Sequence, residues 1–140
     1  MLFQDTKTYT PQQPTAVTIG NFDGVHLGHQ QLLSKTIDYA KKNAGRPVAL
    51  TFSPRPEAWF RKDAQEVLLF SESQKHRALT EFGIKDHIVQ PFNEGFSQTS
   101  HSDFITHHLK NRLKAAAVIV GDDFRFGAKR LGDTLSLIHI

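Results

Sequence analysis

The stretch AVTIGNFDGVHLGHQQLL, Ala16 to Leu33, holds a strand, a loop and the start of a helix. AVTIG is a short apolar run that ends on Gly20, as a buried strand does. Gly20, Gly24 and Gly28 then surround His26 and His29. Beyond them Leu33, Ile37, Ala40 and Ala44 recur at helical spacing, with Gly45 expected as the C-terminal cap. Glycine lets a backbone approach a ligand closely and turn without a Cβ penalty. A helix start carries unpaired N–H groups and the positive end of the dipole, so a glycine loop feeding a helix suits an anion such as phosphate.

The rest of the chain repeats the strand-then-helix pattern. PVALTF (Pro47–Phe52) reads as a second strand, broken by the prolines Pro54 and Pro56. Ser71-Glu72-Ser73-Gln74 has the form of a capping box, and Ala78, Leu79 and Phe82 give the helix behind it an apolar side. HIVQPF (His87–Phe92) is a third strand. Ser100 or Ser102 caps a helix whose Ile105, Leu109 and Leu113 share a face, and AAVIVG (Ala116–Gly121) is a fourth strand ending on glycine. Strands that are apolar throughout belong in sheets covered on both faces. The expectation is an α/β fold with a mostly parallel sheet and right-handed crossovers. Ligands of such sheets lie beyond the carboxyl ends of the strands, where the loops after Gly20 and Gly121 fall. Residues 1–14, with two prolines near their end, read as an extended lead-in.

Composition narrows the function classes. With 39% hydrophobic and 22% charged residues in 140, the chain is that of a globular domain rather than a disordered one. No apolar run reaches membrane-spanning length, and the first residues lack the basic-then-apolar pattern of a secretory leader. There is no cysteine, which excludes disulfides and thiolate metal sites and is compatible with the cytoplasm, the expected location. The net charge of +3 is scattered, without a basic block that argues for nucleic acid. A small-molecule partner is expected, with neither nucleic acid nor membrane.

His26 and His29 are three residues apart, so within a first helical turn they share a face. Imidazole donates hydrogen bonds to phosphate and can carry charge near neutral pH. Each residue also has a plainer reading. Loop glycines make ordinary turns, a histidine pair can hold a metal, and Asp23 can coordinate a cation or cap the turn. No cysteine or carboxylate cluster supports a metal, so no residue is assigned as a metal ligand. His101, His107 and His108 have no partner pattern and are expected at the surface, as is Lys75.

Three motifs in order carry a resemblance. G-x-F-D-G-x-H-x-G-H stands as Gly20-Asn21-Phe22-Asp23-Gly24-Val25-His26-Leu27-Gly28-His29. TFSPRP (Thr51–Pro56) follows the second strand, and GDDFRFG (Gly121–Gly127) follows the fourth. Together they resemble the FMN adenylyltransferase module of the bacterial bifunctional riboflavin kinase/FAD synthetase family. The resemblance runs from about Thr15 to Asp133. It implies a Rossmann-like nucleotidylyltransferase fold and the reaction FMN + ATP → FAD + pyrophosphate, with Mg2+ accompanying ATP. It implies catalytic roles for His26, His29 and Asp123. The binding residues it implies are Gly20, Asn21, Phe22, Asp23, Gly24 and Gly28 in the first motif and Thr51, Pro54 and Pro56 in the second. Phe124, Arg125, Phe126 and Gly127 complete the set in the third.

The match then stops. No Ser/Thr-rich, Arg-containing SSTxIR motif follows, and the riboflavin kinase domain that the resemblance implies for a parent chain is absent from this sequence. The expected organisation is a lead-in at 1–14, an incomplete adenylyltransferase domain at 15–134 lacking its C-terminal elements, and a non-native tail at 135–140. That tail, LSLIHI, reads either as a fifth apolar strand or as a translated sequencing adapter. A chain cut there is expected to be weakly active or inactive. HxGH alone is shared with other nucleotidylyltransferases, and a non-catalytic nucleotide- or flavin-binding fragment carries the same residues.

Overall fold

The computed structural model describes residues 1–22, 27–53 and 72–121. Among these residues five strands form one sheet: β1 (Leu2–Gln4), β2 (Thr15–Ile19), β3 (Arg46–Ser53), β4 (Asp86–Pro91) and β5 (Ala115–Ile119). Their order is β1-β4-β3-β2-β5 and every pairing is parallel. The helices among the described residues are α1 (Leu27–Lys42), α2 (Glu72–Phe82), the single turn α3 (Glu94–Ser97), and α4. The last begins as His101–Asp103 and continues as a π-helix over Phe104–Arg112.

The four expected strands are present. The lead-in does more than expected: Leu2–Gln4 adds a parallel edge strand against β4, and Thr6–Thr8 forms a 3-10 turn that buries Thr6. Strand alternation sorts the core into two faces. Val17, Ile19, Val48, Leu50, Phe52 and Ile88 pack with Tyr9, Phe104, Leu109 and Leu113 on one face. Ala49 packs with Phe22, Leu33, Leu79 and Ile84 on the other. Thr18, Ala49 and His87 stand in one row across the second face, and Thr51 stands in the next.

Ser100 is the residue that caps α4, its hydroxyl accepting from the Asp103 N–H at 3.1 Å. The π-helical winding changes which residues face inward. Leu113 N–H donates to the His108 carbonyl, five residues back. At that pitch Phe104, His108, Leu109 and Leu113 share the buried side, while Ile105 is only half-buried. His108 therefore departs from its expected surface position. It is 7% exposed, and its Nδ1 lies 2.7 Å from Thr6 Oγ1, which also accepts from Arg112 Nη1 at 3.0 Å. His101 is half-buried and His107 exposed, with its Nε2 3.8 Å from Asp103.

The cap of α1 also differs from expectation. The left-handed residue is Ala44, with φ 52°, and Gly45 follows it with its N–H donating to the Ala40 carbonyl at 2.8 Å. Gly45 is small for another reason: a Cβ there would sit 3.1 Å from the Pro14 carbonyl oxygen. The matching cap of α2 uses glycine where the geometry asks for it, Gly83 at φ 125°, with Ile84 N–H donating to Leu79. Alanine in the left-handed region costs about 1–2 kcal/mol, partly offset by the extra freedom glycine gives the unfolded chain. Ala44→Gly is expected to stabilise the fold by about 0.5–1 kcal/mol, read as a higher urea midpoint with an unchanged slope.

Candidate functional site

The chain builds β2, β3 and β4 outward in one direction, then returns to lay β5 on the free side of β2. At such a reversal the loops leaving the two strands part and open a crevice beyond their carboxyl ends. The register brings Thr18 beside Ile119, so Gly20 and Gly121 leave the sheet next to each other. Gly20 still belongs to the ladder through its N–H to the Leu50 carbonyl, 3.3 Å. Gly20, Asn21 and Gly121 are half-buried at this edge. Gly28 and His29 fall in the first turn of α1, whose N-terminus faces the same end of the sheet.

Phe22 takes a left-handed backbone, φ 51°, and its ring is fully buried. It meets the half-buried His29 imidazole edge-on, with centroids 5.1 Å apart and planes at 64°. Phe22 thus packs against His29, in the buried cluster that also holds Leu33. Thr51 is 0% exposed, and its hydroxyl is hydrogen-bonded to His87 Nε2 at 2.8 Å.

Thr51 belongs to a polar layer under α2 that sequence reasoning missed. His87 is 1% exposed and stacks on His76 with centroids 5.5 Å apart and planes at 17°. Lys75, expected at the surface, is buried at 1% exposure. Lys75 and Leu79, four residues apart, both face inward, and Phe82, the last residue of α2, is 36% exposed. A lysine stem can line an interior whose floor is polar, and here the floor is Thr51 and His87. Thr18 Oγ1, His76 Nδ1 and His87 Nδ1 have no hydrogen-bond partner among the described residues. The signal available in the sequence was the threonine and histidine on one face of otherwise apolar strands.

Burial pushes the His87 pKa down to about 3, with His76, Lys75 and the N-terminal charge adding to it. Burial, then the Arg112 charge, pushes His108 down to about 4, against a smaller opposing effect of Asp5. His76 is lowered as well, first by burial and then by the N-terminus. An unfolded histidine binds its proton near pH 6.5, so between that value and the folded one the unfolded state holds more protons. Stability is therefore expected to be intact above pH 6.5 and to fall as pH drops toward 3–4. The slope is up to about 1.4 kcal/mol per pH unit for each histidine. Urea melts from pH 7.5 to 4.5 check this: His108→Asn should flatten the profile, and an unaltered slope counts against it.

His26, Asp23, Gly24, Pro54, Pro56, Asp123, Phe124, Arg125, Phe126 and Gly127 lie outside the described residues. So do Ser71 of the expected capping box and the tail at 135–140. Among the described residues no three His, Cys, Asp or Glu side chains gather where they could hold a metal ion. None of their helices is long and apolar enough to cross a membrane.

Comparison with known proteins bears on this arrangement. The family model described as FAD synthetase matches residues 8–140. A protein of Buchnera aphidicola subsp. Schizaphis graminum named bifunctional riboflavin kinase/FMN adenylyltransferase is 40% identical over 126 residues, 90% of this chain and 40% of that protein. The Escherichia coli K12 protein of the same name is 37% identical over 127 residues, 91% of this chain and 41% of that one. A Listeria monocytogenes protein named FAD synthetase is 35% identical over 119 residues, 84% and 47% of the two chains. The chain spans less than half the length of these relatives. Among solved structures, one titled a macrolide-efflux protein from Streptococcus pneumoniae superposes with a TM-score of 0.84. It covers 99% of this chain and 46% of its own at 20% identity, a likeness of fold alone.

Proposed function

The chain belongs to the FAD synthetase family, and from that premise we propose that it carries out the adenylyl transfer from ATP to FMN. The observation that carries the reading is the pairing of strand-order reversal and helix start: β2 and β5 lie side by side at the reversal, and α1 begins at their carboxyl end with His29 in its first turn. A phosphate oxygen of FMN attacks the α-phosphorus of ATP, the bond from that phosphorus to the bridging oxygen breaks, and pyrophosphate leaves. No covalent intermediate on the protein is needed, so the chain's task is to position two anions and stabilise charge. Unpaired N–H groups at the start of α1 face the triphosphate. His29, with His26, donates to the oxygens on which negative charge grows. Mg2+ arrives with ATP as part of the substrate and neutralises its phosphates. Asp123 orients the substrates, and the motif that begins at Gly121, directly after β5, contributes binding residues. The riboflavin kinase activity of the longer relatives belongs to a further domain of a parent chain, working in the cytoplasm.

The test is incubation of the full chain with FMN and Mg-ATP, following FAD by chromatography and pyrophosphate by a coupled assay. FAD and pyrophosphate should form in equal amounts, slowly, and CTP should not replace ATP. ATP bound with no pyrophosphate released at any FMN concentration would reduce the chain to a binding module.

A further inference from the structure

We propose that Phe22 is a positioning residue for His29: its buried ring fixes the plane of the imidazole, and residue 20 is glycine to make room for that ring. The inference rests on the reading of His29 as a phosphate contact, and adds the parts that aim it. The first observation is the backbone. A bulky side chain at φ 51° is an outlier that costs about 1–2 kcal/mol, and such strain gathers where a site needs a side chain in one place. What holds Phe22 there is burial. Its ring is 0% exposed among Leu33, Ala49, Leu79 and Ile84, a gain of about 1.5–3 kcal/mol that outweighs the strain.

The second observation is the ring contact. A separation of 5.1 Å at 64° is an edge-to-face arrangement between Phe22 and His29. Leu33, one helical turn beyond His29, is in the same buried cluster. The imidazole therefore rests on a fixed apolar floor on one side while its helix carries it at the crevice. The third observation explains Gly20. Its backbone is not left-handed, so glycine is not there for a turn. A Cβ at that position would lie 3.3 Å from both Cε2 and Cζ of Phe22. That is close enough to displace the ring by a few tenths of an ångström. Gly20, Phe22 and His29 thus form one line of contact, two residues of which never need to touch the substrate.

The experiment uses the full chain labelled at histidine and read by NMR, together with turnover. Phe22→Leu keeps an apolar side chain but removes the ring, and should shift the His29 ring signals by loss of the ring current. It should lower kcat about tenfold while KM for ATP stays within about twofold, the mark of a lost transition-state alignment. Gly20→Ala should move the same signals in the wild-type background and leave them unmoved when Phe22→Leu is already present. His29 signals that ignore Phe22→Leu, or a Gly20→Ala effect equal in both backgrounds, would overturn the proposal. If Phe22→Leu does not fold, Gly20→Ala alone carries the test, since it retains every side chain and must move His29. The NMR arm is independent of turnover. A chain that forms no FAD yet keeps the coupling removes the reaction, whereas a chain without the coupling removes the positioning role.

Discussion

His29→Ala is expected to slow FAD formation by about 10²–10³, with a much smaller effect on stability. The size follows from what a donor at a developing charge contributes in a site shielded from water. The small stability cost follows from the position: His29 is half-buried in the first turn of α1, and its contact with Phe22 contributes about 0.5–1.5 kcal/mol. His29→Gln keeps a donor near the same place and should recover part of the rate. The measurements are single-turnover FAD formation at saturating ATP and thermal unfolding of the same samples. Losses that scale together in the two assays would make His29 a packing residue.

The elements around that site were legible because their signals are local. β2, β3, β4 and β5 are apolar runs bounded by glycine or proline, and α1 shows its spacing through Leu33, Ile37 and Ala40. The glycines between Ile19 and His29 marked the passage from strand β2 to helix α1. What stayed hidden depends on contacts between distant segments. Nothing within Phe104–Arg112 announces a π pitch, so the inward place of His108 appears only once Thr6, 102 residues away in sequence, supplies its partner. Lys75 is buried because the face beneath α2 happens to carry Thr51 and His87. Phe22 reads as one residue of a binding motif; its left-handed backbone and its buried ring leave no trace in residue type. The N-terminal strand escaped notice because three residues are too few to show alternation.

The second large effect lies at the opposite end of the sheet. Asp86 opens β4 with its side chain only 3% exposed. Tyr9 donates its hydroxyl to Oδ2 at 2.6 Å, Arg46 donates through Nε to Oδ2 and through Nη2 to Oδ1 at 3.1 Å, and the N-terminal ammonium lies 3.7 Å from Oδ1. One carboxylate thus ties the starts of β3 and β4 to the N-terminal segment. Burial by itself raises the pKa of Asp86, but the hydrogen bonds from Arg46 and Tyr9 and the nearby positive charges outweigh it and hold the group below its usual value. Burial, then the bond to Asp86, raises the Tyr9 pKa and keeps its hydroxyl protonated. Asp86→Ala strands that hydroxyl and leaves Arg46 unpaired. Removing one member of a buried pair costs about 3–5 kcal/mol, and because Arg46 is 41% exposed the lower end applies, about 3 kcal/mol. The sign with pH follows from the lowered folded value. The stabilisation is present above the unfolded pKa near 4 and is lost as pH falls through the folded one. The difference between wild type and Asp86→Ala in urea melts should therefore be level from pH 7 to about 4.5 and shrink below that. The histidine losses described above are common to both proteins, so they cancel in the difference. A gap under about 1 kcal/mol at pH 7, or one that holds constant into acid, would mean that Asp86 does not tie these segments together.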